Sequence, residues 1–286
     1  MTAAANPSWM TRFGFTRAPF GKAIPAHQLF SWPSHEEAVA RIRFCVQERL
    51  LGVVVGEVGA GKTVAARAAV SQLDPTAHQV IYLSNPPALG TRGLYVTLVS
   101  ALGAQPRFFK AEVMAQAQTL LAAEELERRR RVVLIVDEGH LLTPEQLEEL
   151  RLLTNADMDA TNPFALLMVG QPMLLRRLKM GSFAALDQRL SMRYQLQPLD
   201  LAEAVQYLRH QLAWAGRTEP LFADDAVARL HQASLGLPRN LNNLARDALI
   251  ADAAAHKDLV DDACAKKAVA EHTAHEIGVA LPLGSG

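Results

Sequence analysis

The chain has 286 residues, half of them hydrophobic, enough for one large domain or a medium domain with a small companion. Its 29 basic and 29 acidic residues balance, so bulk charge points to no nucleic-acid partner, and any such contact must come from a local patch. Cys45 and Cys264 are the only cysteines. Two isolated thiols exclude a disulfide framework or a cysteine-based zinc cluster and suit a reducing cytoplasm. No apolar run is long enough to cross a membrane, and the N-terminus lacks the order of a signal peptide. The expectation is a soluble cytoplasmic protein without membrane contact.

In chain order, residues 1–34 read as an irregular arm rich in proline and aromatics, among them Trp9, Phe13, Phe15, Phe20, Phe30 and Trp32. So many aromatics predict packing onto the body rather than disorder. A helix is predicted from Ser34 to about Arg49, then a short apolar strand, Leu51-Gly52-Val53-Val54-Val55. A glycine-rich turn and an alanine-rich helix follow. Further strands are predicted at residues 79–83, 132–136, 164–169 and 193–196, with helices over 92–102 and 110–130 and another beginning at Thr143-Pro144. Strands alternating with helices predict a five-stranded parallel sheet sandwiched by helices. Beyond it only helices are predicted, over about 200–215, 223–234, 239–255 and 260–271. The expected domains are an arm at 1–34, a nucleotide-binding α/β domain at 35–198, a helical lid at 199–272 and a flexible tail at 273–286.

The string Gly56-Glu57-Val58-Gly59-Ala60-Gly61-Lys62-Thr63 fits G-x-x-x-x-G-K-[ST] between a strand and a helix. Its glycines let the backbone aim amides at phosphate oxygens, and the following helix offers its positive end. Lys62 is placed to neutralise β- and γ-phosphate charge and Thr63 to hold Mg²⁺, which predicts ATP with Mg²⁺ as ligands. Asp137 and Glu138 end the third strand, where an acidic pair faces the ligand crevice of a parallel sheet. Asp137 is expected to hold Mg²⁺ through water and Glu138 to polarise the attacking water, which predicts an ATPase.

With an all-helical C-terminal lid, these motifs resemble those of AAA+ ATPases, and more narrowly of the ExeA-like and TnsC/TniB-like members. The resemblance rests on Phe13-Gly14-Phe15-Thr16-Arg17-Ala18-Pro19-Phe20, Asp137 to Leu142, Val169-Gly170-Gln171-Pro172, Gln188 to Tyr194 and Gly236 to Leu241. It implies that Gln171 is the sensor-1 residue and that Arg239 is sensor 2, reporting on the γ-phosphate. It makes Arg189 an arginine finger for a neighbouring subunit, with Arg193 in reserve. A salt bridge at Arg189 and a turn position at Gln171 are the plainer alternatives. For transposition-type members it implies DNA-backbone contacts from Arg92, Arg107 and Lys110, against an ordinary basic surface. Arg128 to Arg131 read as a basic helix end. His140 is either a link from the nucleotide to a neighbouring loop or a plain loop residue.

The preferred expectation is a regulator of DNA transposition that forms a homo-oligomeric ring or filament, six subunits per turn, on double-stranded DNA. It would recruit a transposase, with or without an adaptor protein, and hydrolysis would dismantle the assembly. An ExeA-type secretion ATPase stands second, because such proteins continue into a membrane segment and a cell-wall-binding domain. A replication-initiator-like protein stands third.

Overall fold

The computed structural model describes residues 8–21, 23–84, 86–155, 162–255 and 259–277. The described chain divides into two compact units. One holds residues 33–58 and 62–197, the other residues 1–32, 59–61 and 198–286.

The first unit is α/β. Strands β1 (Leu51–Val55), β2 (His78–Leu83), β3 (Arg131–Val136), β4 (Ala165–Gly170) and β5 (Leu190–Gln195) form one parallel sheet in the order β2-β3-β4-β1-β5. The central strands β1 and β4 are buried along their whole length, and β3 is buried after its first residue. Uninterrupted β-branched and leucine runs are what a strand covered on both faces requires. The edge strand β5 instead alternates buried and exposed positions through most of its length.

Helix α2 (Pro33–Gln47) packs on β1, β4 and β5, and Gly52 makes the approach possible. A Cβ there would lie 2.6 Å from Met192 Cε and 2.9 Å from Cys45 Sγ. Burial pushes the Cys45 thiol up to about 12, so it behaves as an apolar filler. Helix α3 (Lys62–Val70) follows the β1 loop. Helix α4 (Pro86–Ala101) is interrupted at Gly90, whose φ of 59° is left-handed. Helix α5 (Lys110–Leu126) packs beside α4. Helix α6 (Pro144–Leu153) begins with a capping box in which Thr143 and Gln146 satisfy each other's backbone amides. Short helices α7 (Met173–Leu178) and α8 (Ala184–Arg189) join β4 to β5.

The strand order positions the site. The chain leaves β1 for the far edge at β2, returns through β3 and β4, and adds β5 on the other side of β1. The loops after β1, β3 and β4 therefore leave the same sheet end, and β4 lies between the other two. In open α/β sheets this is where ligands bind.

The second unit is helical. It contains α9 (Leu201–Trp214), α10 (Asp224–Ser234), α11 (Pro238–Ala254) and α12 (Asp262–Ile277), together with short α1 (Ser8–Arg12). Asp200 and Glu203 form a capping box at α9, and Pro238 opens α11. The N-terminal aromatics belong to this core. Phe13, Phe15, Phe20 and Trp32 are each at most 4% exposed. Phe20 meets Phe222 edge-on at 6.4 Å and Phe30 meets Tyr207 at 5.5 Å. The Arg17 guanidinium lies 4.2 Å above the Trp214 ring. Both the amide and the hydroxyl of Thr16 donate to the Ala215 carbonyl, at 2.9 and 3.1 Å. The aromatic arm expected from the sequence is thus a core component of the helical unit.

Several boundaries moved. Helix α5 stops at Leu126, because Arg128 and Arg130 turn back to clasp buried Glu124, with Arg130 Nε 2.8 Å from Glu124 Oε2. Arg131 begins β3 and donates to the Gln47 carbonyl. Arg128, Arg130 and Arg131 of the basic run are therefore engaged in structural contacts. Helix α12 reaches Ile277, past the expected tail boundary at 273, and residues 278–286 of that tail lie outside the described residues.

Candidate nucleotide site

The loop after β1 is built to expose amides. Gly59 and Gly61 take φ of 85° and 98°, the left-handed region that glycine occupies without strain. A Cβ on Gly59 would also lie 2.8 Å from the Cβ of Arg239, whose amide donates to the Gly59 carbonyl at 3.2 Å. These tip residues group with the helical unit. The Gly56 amide donates to the Gly170 carbonyl at 3.3 Å, tying the loop's origin to the end of β4.

Lys62, only 8% exposed, sends its ammonium to the carbonyls of Gly56 at 3.0 Å and Glu57 at 2.9 Å. The cation is thereby held over the loop's own backbone, inside the curl made by residues 56–62. Thr63 donates its hydroxyl to Asp137 Oδ2 at 2.8 Å. A threonine on α3 and an aspartate after β3 thus converge as a hard-oxygen pair, the donor chemistry Mg²⁺ takes from a protein while phosphate and water oxygens fill the remaining positions. Among the described residues no group of three or more His, Cys, Asp or Glu side chains could hold a metal by itself. The residues present fit Mg²⁺ carried in with a nucleotide.

Asp137 is 6% exposed, and donors surround its carboxylate. Oδ1 accepts from the Glu138 amide at 2.9 Å. Oδ2 accepts from Thr63 and also from the Tyr82 hydroxyl, at 2.6 Å. Burial, and then the hydrogen bond and negative charge of Asp137, hold the Tyr82 phenol well above the usual tyrosine range, so it remains a donor. Sequence reading missed Tyr82. Only the in-register pairing of β2 with β3 brings its strand end beside Asp137.

Glu138 adopts φ 52° and ψ 35°, a left-handed conformation costing a non-glycine residue about 1 kcal/mol. Its side chain is half-exposed. The turn Gly139–Leu141 then packs on the end of β4, allowed by two glycines. A Cβ at Gly170 would lie 3.1 Å from the His140 amide, and one at Gly139 would lie 3.4 Å from the Val169 carbonyl. This explains glycine after Asp137-Glu138 and before Gln171. His140 is buried here, with Nδ1 at 3.4 Å from both Glu138 Oε2 and the Gln171 amide. One nitrogen serves one at a time, accepting from Gln171 or, when protonated, donating to Glu138. Arg177, also missed from sequence, donates from α7 to the carbonyls of His140, at 3.3 Å, and Leu142.

Of the remaining sequence-predicted residues, Arg189 donates to Thr154 Oγ1 at 2.9 Å and Asn155 Oδ1 at 3.4 Å. Arg193 pairs with Asp187. Arg92 donates to the carbonyls of Phe108 and Arg107, and Lys110 pairs with Glu149, which also accepts from buried Tyr95. Arg92 and Arg107 meet about the α4–α5 loop, and Lys110 opens α5.

Residues 45–178 match the family model described as an AAA domain. The fold is that of an AAA+ ATPase. The chain is 34% identical over 243 residues to General secretion pathway protein A of Aeromonas hydrophila, a match covering 84% of this chain. It spans 44% of the length of that relative, less than half. Among solved structures, the Aeropyrum pernix ORC2 protein superposes with a TM-score of 0.68 at 16% identity, covering 92% of this chain and 74% of that one. The Thermotoga maritima RuvB Holliday junction branch migration motor gives 0.55 at 19% identity, covering 87% and 78%. At such identities these structures establish the AAA+ fold alone. No helix among the described residues is long and apolar enough to cross a membrane.

Proposed function

We propose that this AAA+ chain binds and hydrolyses ATP, and that its nucleotide state controls its own assembly. The observation carrying the proposal is the 2.8 Å hydrogen bond between Thr63 and Asp137, which joins the phosphate loop to the acidic strand end at one metal position. Bound Mg²⁺ would neutralise charge on the β- and γ-phosphate oxygens. Gly56, Glu57, Val58, Gly59, Ala60 and Gly61 present backbone amides to those phosphates, and Lys62 exchanges its two loop carbonyls for phosphate oxygens. Thr63 and Asp137 orient the metal's oxygen ligands. Glu138 takes the proton of the attacking water, and Gln171 orients that water. Arg239 is the sensor of the γ-phosphate in this reading, and Arg189 acts on the nucleotide of a neighbouring copy, with Arg193 in reserve.

For the cellular role, the relative favours an ExeA-type secretion-associated ATPase over a transposition regulator. The sequence preference for transposition rested on where the chain stops. The match to General secretion pathway protein A is confined to part of that longer protein, so the stopping point does not separate the two roles. On either reading the protein works in the cytoplasm, where ATP is supplied.

The test has two stages. Lys62→Ala should abolish nucleotide binding, while Glu138→Gln should bind ATP normally and lose at least a hundredfold in turnover, the order expected for a lost general base. Normal turnover by Glu138→Gln would remove the assigned base. Duplex-DNA binding is then measured with ATP across a salt series. Indifference to DNA at low salt supports the secretion role. Tight ATP-dependent binding that weakens steeply with salt, and falls in an Arg92→Ala, Arg107→Ala variant, would restore the transposition regulator.

A further inference from the structure

We infer that Tyr82 is a positioning residue of the metal site, fixing the carboxylate of Asp137 for Mg²⁺-dependent nucleotide binding. The inference deepens the ATP-binding reading and rests on it. Asp137 sits at 6% exposure, so water cannot freely solvate its carboxylate, and each oxygen needs a protein donor. Oδ1 is met by the Glu138 amide. Oδ2 must face the metal position and is met by Thr63, a side chain the metal would also recruit. Tyr82 supplies a second donor to that oxygen at 2.6 Å, from a strand carrying no other part of the site. Two donors from different elements fix the carboxylate rotamer better than one, and outer partners of this kind orient metal-site carboxylates.

The placement follows from the sheet. β2 pairs with β3 with Tyr82 opposite Ile135 and Leu83 opposite Val136, and the Asp137 amide donates to the Leu83 carbonyl at 2.9 Å. Residue 82 is thus the position from which an edge-strand side chain reaches the acidic strand end. Tyr82 is 48% exposed, and its ring fills no core that would account for it. In a strand otherwise made of Val, Ile and Leu around this point, the hydroxyl is the feature that distinguishes it.

The experiment is a titration of fluorescent ATP binding, in EDTA and across a Mg²⁺ series. Tyr82→Phe keeps the ring and removes the hydroxyl, and Tyr82→Leu removes both. Each should raise the half-saturating Mg²⁺ concentration about tenfold, the size of one hydrogen bond to a charged group, and leave nucleotide affinity in EDTA unchanged. Half-saturation equal to wild type overturns the inference. So does an equal loss of affinity with and without Mg²⁺, the mark of a general structural role. If wild type binds no ATP, the nucleotide reading falls and Tyr82 with it; if it binds ATP but gains nothing from Mg²⁺, the metal position falls and Tyr82 with it. If wild type responds and the variants follow it unchanged, only the role of Tyr82 falls.

Discussion

The two units reach similar burial by opposite routes. In the α/β unit each strand and its following helix are near neighbours in sequence, and the core is laid down in chain order around β1. The helical unit closes only when residues 9–32 meet residues 200–277, with the entire sheet intervening in the chain. The first is a core of local repeats, the second a core of distant partners. The difference teaches that a segment's place in the sequence says little about the core it completes.

Removing residues 1–32 is the harshest way to break this comparison. The helical unit would lose Phe13, Phe15, Phe20 and Trp32 together, and a single buried Phe→Ala already costs about 3–5 kcal/mol. Hydrogen exchange should show α9–α12 unprotected and the central strands β1, β3 and β4 still protected. Loss of protection in both would mean that the units are not separately built.

Gly236→Val tests the helical unit at one point. Gly236 has φ 68°, and a Cβ there would lie 2.1 Å from the Leu199 carbonyl. Backbone must move, and a loss of roughly 3 kcal/mol or more is expected, read as reduced chemical stability of α9–α12.

A pH titration addresses the α/β unit instead. His35 is 2% exposed, and burial, partly offset by the charge of Glu36, lowers its pKa to about 4 from 6.5. The folded state resists protonation while the unfolded state accepts it. The stability this contributes is complete above about pH 6.5, falls as pH drops toward 4, and is level below that. The loss through this window is roughly 3 kcal/mol. His35→Gln should flatten that slope in denaturant melts of the sheet amides and leave the helical unit's slope unchanged.

The smallest effect belongs to Thr143→Ala. It removes the side chain that accepts from the Gln146 amide at 3.2 Å and should cost about 1 kcal/mol, measured as a shift in the denaturation midpoint of the α/β unit.

Much of the α/β unit was legible because its signals are local. Apolar runs located β1 to β4, the fifth strand began three residues earlier than expected, and the glycine pattern from Gly56 to Thr63 marked the candidate phosphate loop. Ends shifted where side chains redirected the chain, as when Glu124 drew Arg130 out of the helix beyond Leu126. In the site, Thr63 and Asp137 could be paired from their motifs. Tyr82 could not, because its partner is set by strand order, and β2 could have paired elsewhere. Arg177 was hidden for a similar reason: its role is to hold carbonyls of a turn, and carbonyls leave no trace in a residue pattern. The arm's aromatics announced burial but not their partner.

The aromatic arm also bears on synthesis. Translation delivers residues 9–32 well before α12, so these apolar rings leave the ribosome long before α9–α12 exist to cover them. The sheet can fold in the meantime, as domains do when they emerge. Throughout that interval Phe13, Phe15, Phe20 and Trp32 form a solvent-exposed apolar stretch, the kind of surface that chaperones hold. A nascent chain whose residues up to 198 have cleared the ribosome should therefore carry a folded sheet and a chaperone on residues 9–32, and the chaperone should leave only as α12 appears.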